Sequence, residues 1–166
     1  MTRAGLYNPD GSGNGPVNTA TAQVDLCVRA QTELFGAGRL ELADELIAPD
    51  CADHGLQTGP PVAGRNAGTG PEAIRSVVRW LRGAFPDLAY DVEDAFGDSN
   101  RVALRCTTRG THTGEFLGHA PTGRSFSVQQ IHIFRIQDGR IAEHWACRDD
   151  ATAACSPLCA RPRRPG

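Results

Sequence analysis

Residues 126–149 of the chain, FSVQQIHIFRIQDGRIAEHWACRD, decide how the rest of it folds. From Val128 to Ile136, two sets of side chains alternate with the two-residue period of a β-strand. Asp138-Gly139 follows, and Asp-Gly between two β-rich runs predicts a tight turn because glycine adopts positive φ at no steric cost. A second β-rich run comes directly after it, so the stretch predicts an antiparallel hairpin.

Chemically active side chains are concentrated on this hairpin. They are two imidazoles, two carboxylates and an indole: His132, His144, Glu143, Asp149 and Trp145. Histidine titrates near neutral pH, and a carboxylate close to it can act as a base or orient it. If the protein does chemistry, we therefore expect part of it on this hairpin.

Only one of the neighbours His144 and Trp145 can face a pocket, because adjacent strand residues point to opposite sides of a sheet. A two-residue turn pairs Gln137 with Arg140, which puts Trp145 opposite His132 and on the same face. A bulge in the last strand would exchange Trp145 for His144. We favour Trp145, as an apolar wall for a planar ligand.

Length, charge and hydropathy exclude several classes of protein. A chain of 166 residues fits one domain with its own core. A net charge of -2, with 17 basic residues that are all arginine and scattered, argues against nucleic acid or an anionic membrane as the partner. The chain lacks an apolar run of about 18 residues and an apolar signal segment, so we expect a cytoplasmic protein without a membrane partner.

Six cysteines without an export signal indicate reduced thiols. They lie at positions 27, 51, 106, 147, 155 and 159, and they lack the paired CxxC spacing of structural zinc sites. The sequence also lacks a glycine-rich phosphate loop. We therefore expect neither a metal nor an organic cofactor.

Helical patterns come first in the chain. Apolar spacing predicts a helix from Thr19 to the glycines at 36 and 38, and a shorter helix over about residues 39–48. Residues 50–68 are predicted to form a loop that carries His54. Thr69 and Glu72 have capping-box spacing at the start of a third helix, which should end before Pro86.

Strand patterns follow the helices. The period of two returns at residues 88–93 and 101–108, and a Gly/Thr/His-rich link over 110–123 leads into the hairpin. We expect the histidines of this link, His112 and His119, at the surface or in turns. The ends of the chain, residues 1–18 and 153–166, are predicted to be a disordered and a flexible tail around one domain, residues 19–152.

Three helices followed by four antiparallel strands is an α+β order rather than a βαβ alternation. The helices should pack on one face of a strongly curved antiparallel sheet. Such a sheet, covered on one side by helices, forms a cone-shaped barrel with an apolar interior.

A set of motifs runs through the chain in a distinctive order: His54, FPDL at 85–88, GTHTGEFLG at 110–118, PTGR at 121–124, His132, DGRI at 138–141, EHW at 143–145 and Asp149. The combination resembles the SnoaL-like polyketide cyclases of the nuclear transport factor 2-like superfamily, over roughly residues 20–150. The resemblance implies a cone-shaped α+β barrel, usually a homodimer or a higher homo-oligomer. It also implies ring closure of an aromatic polyketide by an intramolecular aldol reaction, without metal or organic cofactor.

Three residues are candidates for catalysis. His132 matches the pocket histidine of the cyclases, and its imidazole would give a proton or a hydrogen bond to a carbonyl oxygen that develops charge. Asp149 matches the aspartate that follows the EHW motif, and it would act as a base or orient a histidine or water. His54 is expected in a loop over the mouth of the barrel.

Five further side chains are candidates for binding substrate inside the cone: Trp145, His144, Trp80, Phe116 and Gln130. Core packing is the simpler interpretation of Trp80 and Phe116. A cone of this kind, however, uses the same side chains to fill its core and to line its pocket.

One position departs from the pattern of the aldol-type cyclases. Their acid-base aspartate lies two residues after the histidine equivalent to His144, and Ala146 occupies that place here. An alanine cannot move a proton, so either Asp149 or His54 takes the role or the reaction differs, as in a pericyclic or dehydrative ring closure. We predict that His132 keeps a polarising role and that the substrate is not the usual anthracycline precursor.

Other activities stay open on this scaffold, because fold resemblance bounds function weakly. The alternatives are a hydroxylase-type enzyme, an epoxide-opening enzyme and a non-catalytic protein that binds a small molecule. Epoxide opening would need a polar triad that holds water, and the sequence shows no clear Asp-Arg-Asp set. A binding protein would tolerate the loss of His132 and Asp149, whereas an enzyme would not.

Overall fold

A computed structural model describes residues 5–6, 19–54, 69–98 and 100–148 of the chain. The helical segments are α1 (Thr19–Arg29) with a π-helical continuation (Ala30–Gly36), a 3-10 turn (Leu40–Leu42), α2 (Ala43–Leu46) and α3 (Gly70–Ala84). The strands are β1 (Gly5–Leu6), β2 (Ile47–Asp53), β3 (Ala89–Gly97), β4 (Arg101–Thr111), β5 (Ser125–Gln137) and β6 (Arg140–Arg148).

One curved, unclosed sheet contains these strands in the order β1-β3-β4-β5-β6-β2. Its neighbours are antiparallel except for β2, which lies parallel to β6. The ladders are interrupted by an extra residue at Glu93 in β3 and another at Ala142 in β6. Such bulges increase twist and bend a strand. Helices pack on one face of this sheet, which confirms the α+β class predicted from the sequence.

The first helix buries the predicted apolar stripe. Val24, Cys27 and Leu34 are at most 3% exposed, and the helical run ends at Gly36 as predicted. The third helix also lies where predicted, although its capping box does not form. Thr69 makes no side-chain cap bond, and Glu72 instead pairs with arginines one turn and two turns further along the helix.

Strand β2 is the main departure from the prediction. The second helix ends at Leu46 rather than near residue 48, and Ile47 already has the extended backbone of a strand, with φ -109° and ψ 133°. Residues up to Asp53, predicted to begin a loop, pair with β6 instead. The pairing is parallel and joins segments about 90 residues apart, so no local pattern reveals it. Pro49 in the middle of the strand also hides its period.

Two apolar clusters form the core. The larger one lies between the helices and the sheet and includes Leu34, Leu46, Val78, Leu104 and Ile141. The smaller one lies at the end of α3, where Ala84, Phe85 and Leu88 are buried beneath partly exposed side chains: Leu81, Tyr90, Phe116 and Phe126. Within the described residues, no helix is long and apolar enough to cross a membrane.

The predicted tails fall almost entirely outside the described residues. Gly5–Leu6 is the exception, because it pairs with Gly97 and Phe96 at the edge of β3. This short strand lies inside the segment for which the sequence predicts disorder. The predicted flexible tail, residues 153–166, lies wholly outside the description.

Candidate active site

The hairpin of β5 and β6 forms with the predicted turn. Gln137 pairs with Arg140, and Asp138 and Gly139 have φ values of 50° and 72°, as a two-residue hairpin turn requires. The register then changes, because Ile136 pairs with Ile141 while Arg135 pairs with Glu143. Ala142 is therefore an extra residue in β6.

This bulge decides which side chain of β6 faces the helices. It moves Ala146 opposite His132 and Trp145 opposite Ile133, an outward residue that is 40% exposed. His144 then shares the inner face with His132. The preference for Trp145 on the pocket face is wrong, because it assumed a ladder without the extra residue. The bulged alternative is the one the molecule adopts.

A continuous chain of polar contacts lies on the inner face. His132 Nδ1 is 2.9 Å from His144 Nε2, and His132 Nε2 is 2.9 Å from Gln130 Oε1. At the other end, His144 Nδ1 is 3.1 Å from Asp53 Oδ1. The two imidazole rings are stacked, with 5.2 Å between centroids and 11° between planes. We call the four residues Asp53, His144, His132 and Gln130 the histidine relay.

His132 is the most buried member of the histidine relay. It is only 4% exposed, whereas the side chains of His144 and Asp53 are 14% and 13% exposed. Gln130 is partly exposed and lies one step further along the inner face of β5. Both ends of the relay are therefore more exposed than the imidazole of His132 at its centre.

Asp53 is the site residue that the sequence analysis missed. It is the last residue of β2, and its backbone pairs with that of His144. The next residue donates its backbone N–H to the His144 carbonyl at 2.8 Å. Because β2 was predicted as loop, its side chains had no predicted direction. The sequence signal that could have revealed it is the apolar pair Ile47 and Cys51 on either side of Pro49, and both side chains are in fact buried.

His54 lies on the opposite face of β6 from Asp53. Its Nε2 is 3.0 Å from Glu143 Oε2, and its ring stacks on Trp145 at 4.8 Å. The guanidinium of Arg101 covers Trp145 as well, 5.4 Å from the ring centroid. The expectation that His54 passes over the mouth of the barrel is therefore wrong. It belongs to an outer cluster formed by His54, Glu143, Arg135, Trp145 and Arg101.

Electrostatics hold Glu143 of this outer cluster in its charged form. Two hydrogen bonds lower the pKa of the Glu143 carboxyl from its ordinary value. The bond donated by Arg135 has the larger effect, and the bond from His54 the smaller one. Both neighbours favour the carboxylate over the neutral acid. Glu143 is thus already paired and cannot serve as a free base.

Aromatic side chains gather at the end of α3. Trp80 stacks on Phe116 at 4.8 Å, and Phe85 contacts both Phe116 and Phe126 at about 5 Å between centroids. Tyr90 packs against this group and also lies edge-on to His132 at 6.2 Å. Trp80 and Phe116, two predicted binding residues, therefore lie side by side. We call Trp80, Phe85, Phe116 and Phe126 the aromatic wall, and Tyr90 connects this wall to the relay.

The link before β5 is ordered against α3, and it buries one of its histidines. Thr113 and Gly114 donate their backbone N–H groups to the Ala84 carbonyl at 3.0 Å, and a β-carbon on Gly114 would collide with the backbone of α3. His112 is 0% exposed and contacts Thr122 through Nδ1 at 3.2 Å. Of the two predicted alternatives, the surface position is therefore wrong for His112, which is instead a partner of Thr122 within the link, whereas the surface position holds for the exposed His119.

Two further positions bear on catalysis. Asp149, the first candidate for the missing acid-base group, lies outside the described residues. Ala146 pairs with His132 across the hairpin and is partly buried on the inner face. The position that departs from the cyclase pattern is thus the immediate neighbour of the pocket histidine.

The thiols near the site are unsuited to chemistry. Burial raises the pKa of Cys106 to about 11 and that of Cys51 to about 12. A thiol is a nucleophile only as the thiolate, so both stay inert near neutral pH. Cys147 is the exposed cysteine of the described part of the chain. Within the same part, no three His, Cys, Asp or Glu side chains are grouped to hold a metal.

Comparisons with known proteins point to one family. Its model, SnoaL-like polyketide cyclase, matches residues 25–155. The chain is 34% identical over 124 residues to aklanonic acid methyl ester cyclase DauD of Streptomyces sp. (strain C5), covering 74% of this chain and 73% of that protein. It is 33% identical to the nogalonic acid methyl ester cyclase of Streptomyces nogalater, covering 66% of this chain and 78% of that protein. The solved structure of IdmH from Streptomyces antibioticus superposes with a TM-score of 0.67 and 35% identity, covering 80% of this chain and 96% of that one.

Proposed function

Because this chain belongs to the SnoaL-like polyketide cyclase family, we propose that it closes a ring in a polyketide-type intermediate and that the histidine relay moves the proton. The observation that supports this most is the chain of contacts from Asp53 through His144 to His132 on the inner face. It supplies acid-base groups next to the position where Ala146 replaces the aspartate of the aldol-type cyclases.

The relay can act as base and then as acid in one aldol ring closure. When the Gln130 side chain moves away from His132 Nε2, that nitrogen takes a proton from a carbon flanked by carbonyl groups, and the enolate attacks a ketone of the same molecule. The new alkoxide then takes a proton from His132, so the relay ends with the protons it started with. Asp53 stabilises the positive charge that the imidazoles hold in between.

The aromatic wall would hold the apolar part of the substrate. Trp80, Phe116 and Phe126 present large, partly exposed aromatic faces, and Tyr90 connects them to His132. Stacking on such faces fixes a planar molecule while leaving its polar edge free. Holding the reacting carbon and carbonyl close together is itself a large part of the catalysis of a ring closure.

The substrate class follows from the relatives. DauD and the S. nogalater enzyme are cyclases of aklanonic acid methyl ester and nogalonic acid methyl ester. We propose a related polyketide ester for this chain and, because of Ala146, one other than the usual anthracycline precursor. The wild-type protein should then convert aklanonic acid methyl ester more slowly than DauD assayed beside it, and equal rates would contradict the difference in substrate.

Turnover of single variants tests the site assignment. With aklanonic acid methyl ester as probe, His132→Ala should lose about 100-fold or more, the size expected for a positioned acid or base. His54→Ala should keep most of the activity, since His54 lies on the outer face. Asp149→Asn decides whether Asp149 contributes as well. If all three variants keep full turnover, catalysis lies elsewhere, and if the wild type binds the ester without converting it, the protein is a binder of such esters.

Pairing of two copies through the outer face of the sheet is part of the same proposal. Three large apolar side chains are exposed on that face: Phe96 by 49%, Ile131 by 47% and Ile133 by 40%. The ladder also aligns one residue from each of four neighbouring strands in an apolar row: Phe96, Ala103, Ile133 and Trp145. An apolar row of this length is typical of a protein interface. Analytical ultracentrifugation should show a homodimer that Ile133→Arg converts to monomer, and a monomeric wild type would contradict it.

Cofactor-free catalysis and a cytoplasmic location complete the proposal. The relay provides acid and base in one place, and the aromatic side chains hold the substrate, so an aldol ring closure needs no metal or organic cofactor. Purified protein should therefore turn over the probe after dialysis against a chelator, with no flavin absorbance. A stoichiometric metal that is needed for turnover would contradict this expectation.

A further inference from the structure

The hydrogen bonds of the relay restrict where its protons can be. The relay contains three contacts: Asp53 to His144, His144 to His132, and His132 to Gln130, at 3.1, 2.9 and 2.9 Å. Each contact is a hydrogen bond only if a proton lies between its two atoms. The number of protons on the relay can therefore be counted from the groups at its two ends.

Both ends of the relay are acceptors in the arrangement observed. The Gln130 carbonyl oxygen accepts only, so His132 Nε2 must carry a proton. The Asp53 carboxylate accepts only, so His144 Nδ1 must carry a second one. A third proton lies between His132 Nδ1 and His144 Nε2. Two neutral imidazoles carry two protons, so the three contacts together require one extra proton, shared by the two rings beside Asp53.

Turning the Gln130 amide over removes this requirement. Its NH₂ group would then face His132 Nε2 and donate to it. His132 would donate to His144 through Nδ1, and His144 would donate to Asp53, so two protons satisfy all three contacts. The oxygen and nitrogen ends of an amide have almost the same size, and the last torsion of glutamine is soft. Each amide orientation therefore corresponds to one number of protons on the imidazoles.

We propose that Gln130 is a two-state positioning residue whose amide turns over whenever the relay gains or loses a proton. When the relay holds the extra proton, Gln130 presents its carbonyl to His132 and its NH₂ group points away from the relay. When the relay has given the proton away, the NH₂ group turns inward and satisfies the deprotonated nitrogen of His132. This inference rests on the proposed function, since it describes how the same relay changes state.

The two states offer opposite polarity to a bound substrate. In the proton-loaded state, the outward NH₂ group can donate to a carbonyl oxygen that becomes negatively charged during ring closure. In the spent state, the outward carbonyl can accept from the hydroxyl group that the reaction produces. Gln130 is suited to this because it is partly exposed, whereas His132 behind it is 4% exposed.

The buried thiols on the inner side of the described residues do not carry the extra proton. They are Cys51 on β2, Cys106 on β4 and Cys27 on α1. Burial raises the pKa of each of the three thiols far above neutrality, so they stay uncharged. Tyr90 on β3 lies edge-on to His132, with 6.2 Å between ring centroids.

Nuclear magnetic resonance of the free protein tests this directly. We would record the side-chain amide signals of Gln130 and the imidazole nitrogen signals of His132 between about pH 5 and 8, where imidazoles titrate. Gln130→Met identifies the amide signals by their loss. The two residues should change with the same midpoint pH. Amide signals that stay constant while the imidazole titrates would overturn the inference.

Asp53→Asn provides the second arm of the experiment. Without the carboxylate, the extra proton is less stable, so the midpoint of His132 should fall. The Gln130 amide midpoint should fall by the same amount. A scalar coupling between the Gln130 amide nitrogen and His132 Nε2 should appear only above that midpoint, whereas a glutamine of fixed orientation would show the same coupling, or none, at every pH. Because no substrate is present, the result is independent of turnover. Coupled midpoints with full activity in His132→Ala would refute the proposed function alone, and uncoupled midpoints with an inactive His132→Ala would refute only this inference.

Discussion

The two faces of β6 carry the same pair of chemical groups, and only the inner pair continues to a second imidazole. On the inner face His144 lies 3.1 Å from a carboxylate oxygen of Asp53, and on the outer face His54 lies 3.0 Å from one of Glu143. The inner side chains are 14% and 13% exposed, and the outer ones are 33% and 27% exposed. Distance alone does not separate the two pairs.

What separates them is the next contact in each chain. Behind the inner pair, His144 continues to His132, so a proton can move between two imidazoles, and His132 is bonded in turn to Gln130. Behind the outer pair, Glu143 is already held by Arg135, and His54 is stacked on Trp145. A histidine–carboxylate pair is therefore a candidate for catalysis only when its remaining hydrogen bonds lead to the ligand.

Removing one carboxylate from each face should give the largest difference. Asp53→Asn keeps a hydrogen-bond acceptor for His144 but removes the charge that stabilises the loaded relay. Turnover of aklanonic acid methyl ester should fall by about 10- to 100-fold, the size seen when a partner that fixes a functional histidine is lost. The matched outer variant, Glu143→Gln, should change turnover by no more than about twofold. Equal losses in the two variants would remove the distinction between the faces.

A carboxylate introduced at position 146 should show whether the inner face can regain an acid-base group. Ala146 pairs with His132 on the inner face, so Ala146→Asp places an acid-base group beside the pocket histidine. In the Asp53→Asn background it should recover about tenfold of the lost turnover, less than the roughly 100-fold or more of a fully positioned acid or base, because no neighbouring group orients the new carboxylate. Cys147→Asp, one residue further and on the exposed side, is the matched control and should recover nothing. Rescue by both variants would indicate a general effect of charge.

The hairpin and the inner position of His132 could be predicted from the sequence, whereas the partners of His132 could not. The turn at Asp138-Gly139, the two strands around it and the inner position of His132 follow from a period of two and a residue type that accepts positive φ. The stripe of α1 follows from its spacing in the same way. These features depend on residues that are close together in the chain.

The residues that were missed depend on contacts between distant segments. Asp53 lies in the site because β2 pairs in parallel with β6. His144 faces inward because β6 contains one extra residue at Ala142. His112 is buried because the link packs on α3, not because its own neighbours are apolar. A local pattern cannot specify such pairings, since a shift of one residue exchanges the faces of a strand.

Loss of His54 should test whether the outer cluster is structural. His54→Ala removes the stack on Trp145 and one partner of Glu143, and it should lower the free energy of unfolding by about 1 kcal/mol, as for one aromatic pair. Chemical denaturation would measure this. His119→Ala, at an exposed position of the link, should have no measurable effect. A large loss of turnover in His54→Ala with stability unchanged would instead place His54 in the mechanism.

Low pH should destabilise the folded protein through Glu143 of the outer cluster. The pKa of Glu143 is lower in the folded protein than its ordinary value of 4.5, so its contribution to stability is complete above that value. The contribution is lost as the pH falls through the lowered pKa. The melting temperature of the wild type should therefore drop more steeply below about pH 4.5 than that of Glu143→Gln. Parallel curves for the two proteins would contradict the assignment.

Removing the ends of the chain should have the smallest effect. Residues 1–18 contribute the two-residue strand Gly5–Leu6 to the edge of β3, and short edge pairings add little to stability. The 19–154 fragment should keep cooperative unfolding, with a change of about 0.5 kcal/mol or less relative to the full chain. Loss of cooperative melting would show that an end of the chain packs on the domain.

The extra residue at Ala142 has a consequence for how such genes can change. An in-frame deletion of this single codon would remove the residue that has no partner, so Glu143 would still pair with Arg135 and His144 would stay on the inner face. Straightening the strand with the codon retained would instead shift every later residue of β6 by one position and turn Trp145 toward His132. The bulge therefore acts as a buffer for chain length, because the hairpin can lose one codon at this point without exchanging its faces. Substitutions that straighten the strand are the more drastic genetic change, although they leave the length of the gene unchanged.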